Sequence, residues 1–452
     1  MRNKKIFTSK LQLFTLMSGI TLTALLIWAI AYPPPPQDSI YRNIYINGIP
    51  VGGMTPEEAE AALMHEFQPG YDNMTFTFTT QGVEVAQRSF RDLGIRLDFS
   101  EPVQTASNFG SRRNLAQRIS RLMGRPYHII ATPCLQFQTP RIEAAVQGVA
   151  DKINSAPINA SFVMDDGGIV VKPEVAGISV DAAHATQQLL QLLHNHTGGI
   201  IELPVLPIPP RFSTSHFQFP VSIIGAYTTP VSIEVDARVR NITKAVERVH
   251  NHVLYPGDVF SAGGLIGAHL PGSGYEAAVV LVRGEPAYDI GGGVCQVVTT
   301  IYNAVLKAEL TVVQRHNHSA RVSYAGFGFD ATIAGDYLDF KFKNNTPHPM
   351  LIVSGLRGGE LYVHIHGYDN RPANRTLQFS AQRVDVIPPE PYKEVVDASL
   401  APGERVVTLE SQLGYRYEVF KHVFVDGVEV EVVKVNTSSY RPLQGVISVG
   451  RE

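Results

Sequence analysis

The stretch "DIGGGVCQVVTTIYNAVLKAELTVVQRHNHS", Asp289 to Ser319, sets Cys295 behind Gly291, Gly292 and Gly293 and follows it with a helix-compatible run and a His-Asn-His. A cysteine in the first turn of a helix faces free N–H groups and the positive end of the helix dipole, and both favour thiolate over thiol. The N–H groups of the three glycines could also stabilise an oxyanion. Gln296 follows the cysteine directly, while Thr299 and Tyr302, at i+4 and i+7, share its helical face. Beyond the helix, "TVVQRHNHSARVSY" reads as a strand on which His316 and His318 project to one side. A nucleophilic cysteine leading a helix, with histidine on a nearby strand, is an arrangement of thiol hydrolases. Either imidazole could serve as general base, and Asp330, Asp336 or Asp339 could orient it.

The same residues admit other readings. Free cysteine is among the most buried residue types and packs as a small hydrophobe, and a His-x-His pair is commonly surface or hydrogen-bonded core. His316, His318 and Cys295 or Asp330 could furnish a tetrahedral zinc site with one open position. No second ligand pair of recognised spacing accompanies them, so neither a metal nor a cofactor is assigned. "GGGVCQ" lacks the Lys-Ser/Thr ending of a phosphate-binding loop. Cys134, in "ATPCLQF", has no comparable surroundings and is assigned to packing.

The elements that must position this chemistry belong to a chain of 452 residues, enough for about three domains, with 44% hydrophobic and 17% charged residues and a net charge of -3. That composition excludes a disordered or collagen-like chain and gives no basic surface for nucleic acid. Two cysteines are too few for a disulfide scaffold. Arg2, Lys4, Lys5 and Lys10 precede an uncharged run from Leu11 to Tyr32. That run is long enough to cross roughly 30 Å of hydrocarbon, with the basic tail inside and everything after Tyr32 outside. A signal anchor is the preferred reading, and cleavage after Ala31 is the alternative.

Punctuation divides the rest. Residues 33–41 form a proline-rich spacer, 42–202 an α+β region, 203–218 a proline-rich linker, 219–367 a second α+β domain and 376–452 an extended all-β module. In the first region Thr55, Pro56 and Glu58 sign a helix start, and "GISVDAAHATQQLLQLL" and "GIRLDFSEPVQTASNFG" echo that strand-turn-helix pattern weakly. In the last, Asp426-Gly427 between alternating runs predicts a hairpin. The fold class is therefore α+β multidomain behind an N-terminal transmembrane helix.

The span from about Phe219 to Gly367 resembles the VanW domain, through "YPGDVFSAGGLIG", "GSGYEAAVVLVRGEPAYDIGGGVCQVVTTIYNAVLKAEL", "RHNHS", "FDATI" and "YLDFKFKNNTPHPMLIV". Ser89 to Leu193 resembles the peptidoglycan-binding-type domain that commonly precedes VanW, and the last 75 or so residues resemble a G-five domain. These resemblances imply an extracytoplasmic protein working at the cell wall, with peptidoglycan or an N-acetylglucosamine-containing wall glycan as partner. They imply association with vancomycin resistance but no established reaction. The motif positions Gly291, Gly292, Gly293, Cys295, Gln296, Thr299, Tyr302, Arg315, His316, His318, Asp330 and Asp339 carry over. Two functions follow as expectations. The first is a membrane-anchored protein that binds peptidoglycan and organises the envelope. The alternative is a hydrolase or transpeptidase acting on peptidoglycan peptides, with Cys295 as nucleophile, His316 or His318 as base, Asp330 as orienter, and Gly291–Gly293, Gln296, Thr299, Tyr302 and Arg315 contacting substrate.

Overall fold

A computed structural model of the chain describes residues 15, 17–24, 27, 39–109, 115–166, 168–231, 236–267, 272–282, 285–335 and 337–451. Among the described residues no helix is long and apolar enough to cross a membrane. Of the apolar run at 11–32, only residues 15, 17–24 and 27 are described, and these are helical; the rest of the expected span, and most of the spacer, lie outside the described residues.

The chain divides into two compact units, Met1–Pro157 with Ala176–Pro209, and Ile158–Val175 with Pro210–Glu452. In the first unit the helix Pro56–Asp72 begins as its sequence predicts: Thr55 and Glu58 exchange side chain-to-backbone hydrogen bonds, closing a capping box. Its Ala59 and Leu63 are fully buried with Phe76, Phe78, Ile142 and Leu189, so short strands and helices share one apolar core. The echoed motif also folds as strand, cap and helix. Gly177–Val180 is extended, the Asp181 side chain accepts from the His184 N–H, and Ala182–His194 is helical.

The unit boundaries differ from those the prolines suggest. Val205–Ile208 pairs antiparallel with Gly177–Val180, and Pro207 is tolerated because its strand has this single partner and needs no second ladder. Residues 158–175, read from the sequence as part of the first region, belong to the second unit. Their hairpin, Ser161–Asp165 with Gly168–Lys172, carries a buried Phe162. That ring packs edge-on against Phe217 at 4.6 Å and joins a core with Phe212, Leu351 and Val353. Phe212 and Phe217, within the expected linker, are thus core residues.

The second unit is built on a four-stranded antiparallel sheet in the order Ser222–Pro230, Glu360–Gly367, Met350–Arg357, His252–Leu254. The helix Val294–Lys307 packs on the first two strands and the helix Asp236–Val249 on the third and on its fellow helix. Twelve of the fourteen residues of Val294–Lys307 are buried, so its polar side chains have to find partners inside the protein. The C-terminal part is all strand, as expected. Arg375–Ile387, Gly414–Val425 and Val428–Tyr440 form one antiparallel sheet, and Lys393–Asp397, Val446–Gly450 and Arg405–Leu409 another. Asp426 and Gly427, at φ 52° and 78°, make the two-residue turn that their types predict. Just after the central helix, Glu309 adopts φ 56° and its carboxylate meets Arg375 and, at 2.7 Å, Lys421 of the C-terminal sheet.

Gly225 fixes how closely that helix approaches the sheet. A Cβ there would lie 2.7 Å from the Ala308 Cβ and 2.8 Å from its backbone nitrogen, and would also strike the Ala304 carbonyl. Gly225→Ala is expected to destabilise the second unit by about 1–3 kcal/mol as the helix is pushed off its strand. Urea unfolding measures this, and an unchanged midpoint would refute the close-packing argument.

Candidate functional site

The buried helix is stitched to an extended segment, Phe329–Ile333, by three polar residues one helical turn apart. Asn303 Nδ2 donates to the Phe329 carbonyl at 2.7 Å, and the Thr299 hydroxyl donates to the Ala331 carbonyl at 2.9 Å and accepts from its N–H at 3.0 Å. Cys295 Sγ lies 3.3 Å from the Thr332 hydroxyl and 3.7 Å from the Ile333 carbonyl. This i, i+4, i+8 row gives the cysteine a fixed neighbour and sets Asp330 between two anchored residues.

Asp330 is 1% exposed, so its charge needs partners on every side. Its Oδ2 accepts from the His318 backbone N–H and from His318 Nδ1, both at 2.7 Å. Its Oδ1 accepts from the Tyr440 hydroxyl at 2.6 Å and faces Arg315 at 3.3 Å, while the Arg315 Nε–H donates to the Asp330 carbonyl at 2.8 Å. With Nδ1 bound to the carboxylate, the other edge of the imidazole is left for Cys295, its hydrogen-bond and charge partner, and for the Tyr324 hydroxyl, 3.4 Å from Nε2.

Burial pushes the Cys295 thiol up, but the hydrogen bond and charge of His318, with help from Thr332 and Ile333, outweigh it and hold the thiol below its ordinary value. For His318, burial works downward. Hydrogen bonds to Asp330 and Cys295, and the charges of both, reverse this and lift the imidazole to about 9. Burial would raise Asp330, yet His318, Arg315 and Tyr440 hold it below the usual carboxylate range. The three groups are coupled, each charge favouring the charged form of its neighbour: the thiol and the carboxyl are held low and the imidazole high. Burial and the nearby negative charge keep Tyr324 protonated well above its ordinary range.

The structure thus brings Cys295, His318 and Asp330 together and leaves His316 out. The expected strand carrying both histidines is shorter than its alternation suggests: Thr311–Gln314 pairs with Lys341–Lys343 through a register shift and ends at Gln314. Past that point the His316 carbonyl accepts from the Thr332 N–H at 2.9 Å, and its Nε2 lies 3.1 Å from Gln314 Nε2. Asp339 serves elsewhere, accepting from the Ser261 hydroxyl and the Gly263 N–H at the start of another helix. Among the described residues, no group of three or more His, Cys, Asp and Glu side chains is arranged to hold a metal ion.

The residues expected to contact substrate need correction, because burial commits most of them to the framework. Gln296, 2% exposed, accepts from Arg238 at 2.7 Å and donates to the Pro230 carbonyl at 2.7 Å. Thr299 holds Ala331. Tyr302, 1% exposed, accepts from Asn436 at 2.7 Å and lies under the Arg315 guanidinium. Arg315 itself has a side chain only 6% exposed. Gly291 spends its N–H on the Glu276 carbonyl at 3.0 Å, which removes it from any oxyanion hole. At Gly292 a Cβ would press on the Ala278 backbone at 2.8 Å, and Gly293, at φ 109°, precedes the helix in a backbone form that side chains resist. What remains for a ligand oxyanion are the N–H groups of Gly292, Gly293 and Cys295, at the start of the helix and without an acceptor among the described residues.

Residues that the sequence reading did not single out complete the site. Thr332 and Tyr324 flank the thiol and imidazole, and each could have been sought as a hydroxyl near "RHNHS". Tyr440, Ser438 and Asn436 come from the C-terminal sheet, more than 100 residues beyond Asp330, and no local pattern signals them. Ser438 accepts from Arg315 at 2.6 Å, and Asn436 donates to the Gly328 carbonyl at 3.0 Å.

Comparison with known proteins matches three successive stretches of the chain. Residues 237–366 match the family model "VanW like protein", 86–200 the model "Putative peptidoglycan binding domain" and 381–452 the model "G5 domain". The uncharacterized protein YoaR of Bacillus subtilis is 29% identical over 239 residues, 53% of this chain and 77% of that protein. The vancomycin B-type resistance protein VanW of Enterococcus faecalis is 27% identical over 114 residues, 24% of this chain and 42% of that protein. The G5 domain of IgA1 protease aligns with a TM-score of 0.14, at 23% identity, over 17% of this chain and 93% of that structure. HP0197-G5 aligns with a TM-score of 0.12, at 19% identity, over 17% of this chain and all of that structure. The chain therefore carries, in order, a domain of the peptidoglycan-binding type, a VanW domain and a G5 domain, a set that fits a cell-wall-associated protein.

Proposed function

We propose that this chain is a membrane-tethered cell-wall protein whose VanW domain carries out acyl transfer on peptidoglycan peptides through Cys295. The observation that carries the reading is the His318 imidazole fixed by Asp330, 2.7 Å from Nδ1, whose hydrogen bond and charge hold the Cys295 thiol below its ordinary value. The thiolate attacks a peptide carbonyl, and the Cys295 N–H receives the developing oxyanion. The C–N bond then breaks as His318 gives its proton to the departing amine, leaving a thioester on Sγ. Neutral His318 next takes a proton from water or from an amine of a second peptide, which displaces the thiolate. Water as acceptor makes the protein a hydrolase; an amine makes it a transpeptidase. Asp330 holds the imidazole in one orientation and stabilises its charge through both steps.

The flanking modules supply attachment. The domain of the peptidoglycan-binding type and the G5 module bind peptidoglycan or N-acetylglucosamine-containing glycan, and the run at 11–32 anchors the chain with its basic tail inside. On this reading the main body lies outside the membrane, within reach of the wall.

The pH dependence follows from the raised imidazole. The stability contributed by the His318 charge is complete below its ordinary 6.5 and is lost as pH rises through about 9. In a Cys134→Ser background, alkylation of Cys295 by iodoacetamide is expected to be well advanced at pH 6.5, and His318→Ala should move its midpoint up toward about 8.5. A wild-type midpoint already at 8.5 or above would remove the activated thiolate. Chemistry is tested separately by incubating the full chain in detergent with purified peptidoglycan and following muropeptides by mass spectrometry. Cys295→Ala should abolish any new product and keep sedimentation with the wall; muropeptides unchanged by the wild-type chain would leave a binding protein only.

A further inference from the structure

The carboxylate of the site is held from two directions, and one of them lies outside the VanW domain. The strand Val428–Tyr440 belongs to the C-terminal sheet, yet three alternate side chains at its end reach into the site. Tyr440, 3% exposed, donates to Asp330 Oδ1 at 2.6 Å and accepts from the Gly328 N–H at 2.6 Å. Ser438, fully buried, takes a hydrogen bond from Arg315, and Asn436 links the Tyr302 hydroxyl to the Gly328 carbonyl. Phe327 packs on the same strand pair, stacked on Tyr417 at 4.4 Å and edge-on to Tyr440 at 5.1 Å. Surface docking would not send a buried hydroxyl to a buried carboxylate.

We propose that Tyr440 of the C-terminal module is a positioning residue for the Cys295–His318–Asp330 site, so that this module completes the reactive centre as well as serving attachment. The inference rests on the thiol reading above and deepens it. Asp330 faces His318 and Arg315 from its own domain and Tyr440 from the module; Tyr302 lies on the far side of Arg315, and Cys295 and Tyr324 on the far side of the imidazole. Without the Tyr440 hydroxyl, Oδ1 keeps only the 3.3 Å contact with Arg315. A buried carboxylate that loses a donor favours its protonated form. The proton shared with His318 then moves onto Asp330, and a neutral imidazole no longer holds a thiolate.

The test is the alkylation profile of Cys295 in the full chain, again with Cys134→Ser, comparing the parent with Tyr440→Phe, Asp330→Asn and Val430→Thr. Phenylalanine keeps the ring packing and removes only the hydroxyl, and Val430, on the same strand, is 58% exposed. Tyr440→Phe is expected to shift the midpoint upward in the direction of Asp330→Asn, by about one pH unit, slowing alkylation at pH 6.5 about two- to fivefold. Val430→Thr should leave the profile in place. If the parent profile is low and Tyr440→Phe superposes on it or moves below it, the positioning role is overturned while the thiol reading stands. If the parent profile is itself that of an ordinary thiol, the underlying reading has failed. A midpoint that moves equally in Tyr440→Phe and Val430→Thr would mark a general loosening of the module and would also overturn the role. Where wall-dependent product formation is measurable, Tyr440→Phe should lower kcat with little change in KM.

Discussion

One buried negative charge organises this site. Asp330 sits where water does not reach, and a carboxylate there costs several kcal/mol unless it is surrounded by donors. It is surrounded by four: a backbone N–H, an imidazole, a phenol and a guanidinium. The donors arrive on two segments, Arg315 and His318 on the loop after Gln314 and Tyr440 at the end of the Val428–Tyr440 strand, so satisfying this one charge fixes both against the segment Phe329–Ile333. The imidazole is oriented because the carboxylate must be paired, and the oriented imidazole in turn holds the thiol below its ordinary value.

The central helix plays the complementary part. Its almost complete burial leaves Gln296, Thr299, Thr300 and Asn303 no choice but to bond to neighbouring backbone and side chains. Two of these bonds, from Thr299 and Asn303, tie the segment Phe329–Ile333 to the helix, although it pairs with no ladder. Catalytic constellations require such a framework, since displacement of a reacting group by about 1 Å is costly. The polar residues of the helix are therefore spent on holding the cysteine's surroundings, which leaves Sγ, the far edge of His318 and the N–H groups at the helix start for the proposed chemistry.

Cys295 was legible from its sequence because glycines, a helix start and a later histidine cluster are local features. The choice between His316 and His318 was not, because alternation assumes a continuing strand and this one yields at Gln314 to a competing bond between Thr332 and His316. Asp330 could be named as one of several carboxylates, but its selection over Asp339 depends on which one the chain buries beside the imidazole. Tyr440 was illegible in principle. A tyrosine closing an alternating strand looks like ordinary core, and its partner lies 110 residues away. The same holds for Phe212 and Phe217, whose prolines advertise a linker while their rings serve a core.

Glu309 carries a consequence of its own. It leaves the helix in the left-handed region, where a glycine would be at ease and any other residue loses about 1 kcal/mol or more. A glycine would also have surrendered the carboxylate that meets Arg375 and Lys421, and with Arg371 at 3.9 Å this is the most cation-rich point on the helix's exit. The position has thus been settled in favour of charge over conformational ease. The exit from the cysteine helix is thereby tied to the β-module by ion pairs, a second attachment of that module beside the hydrogen bond of Tyr440 to Asp330.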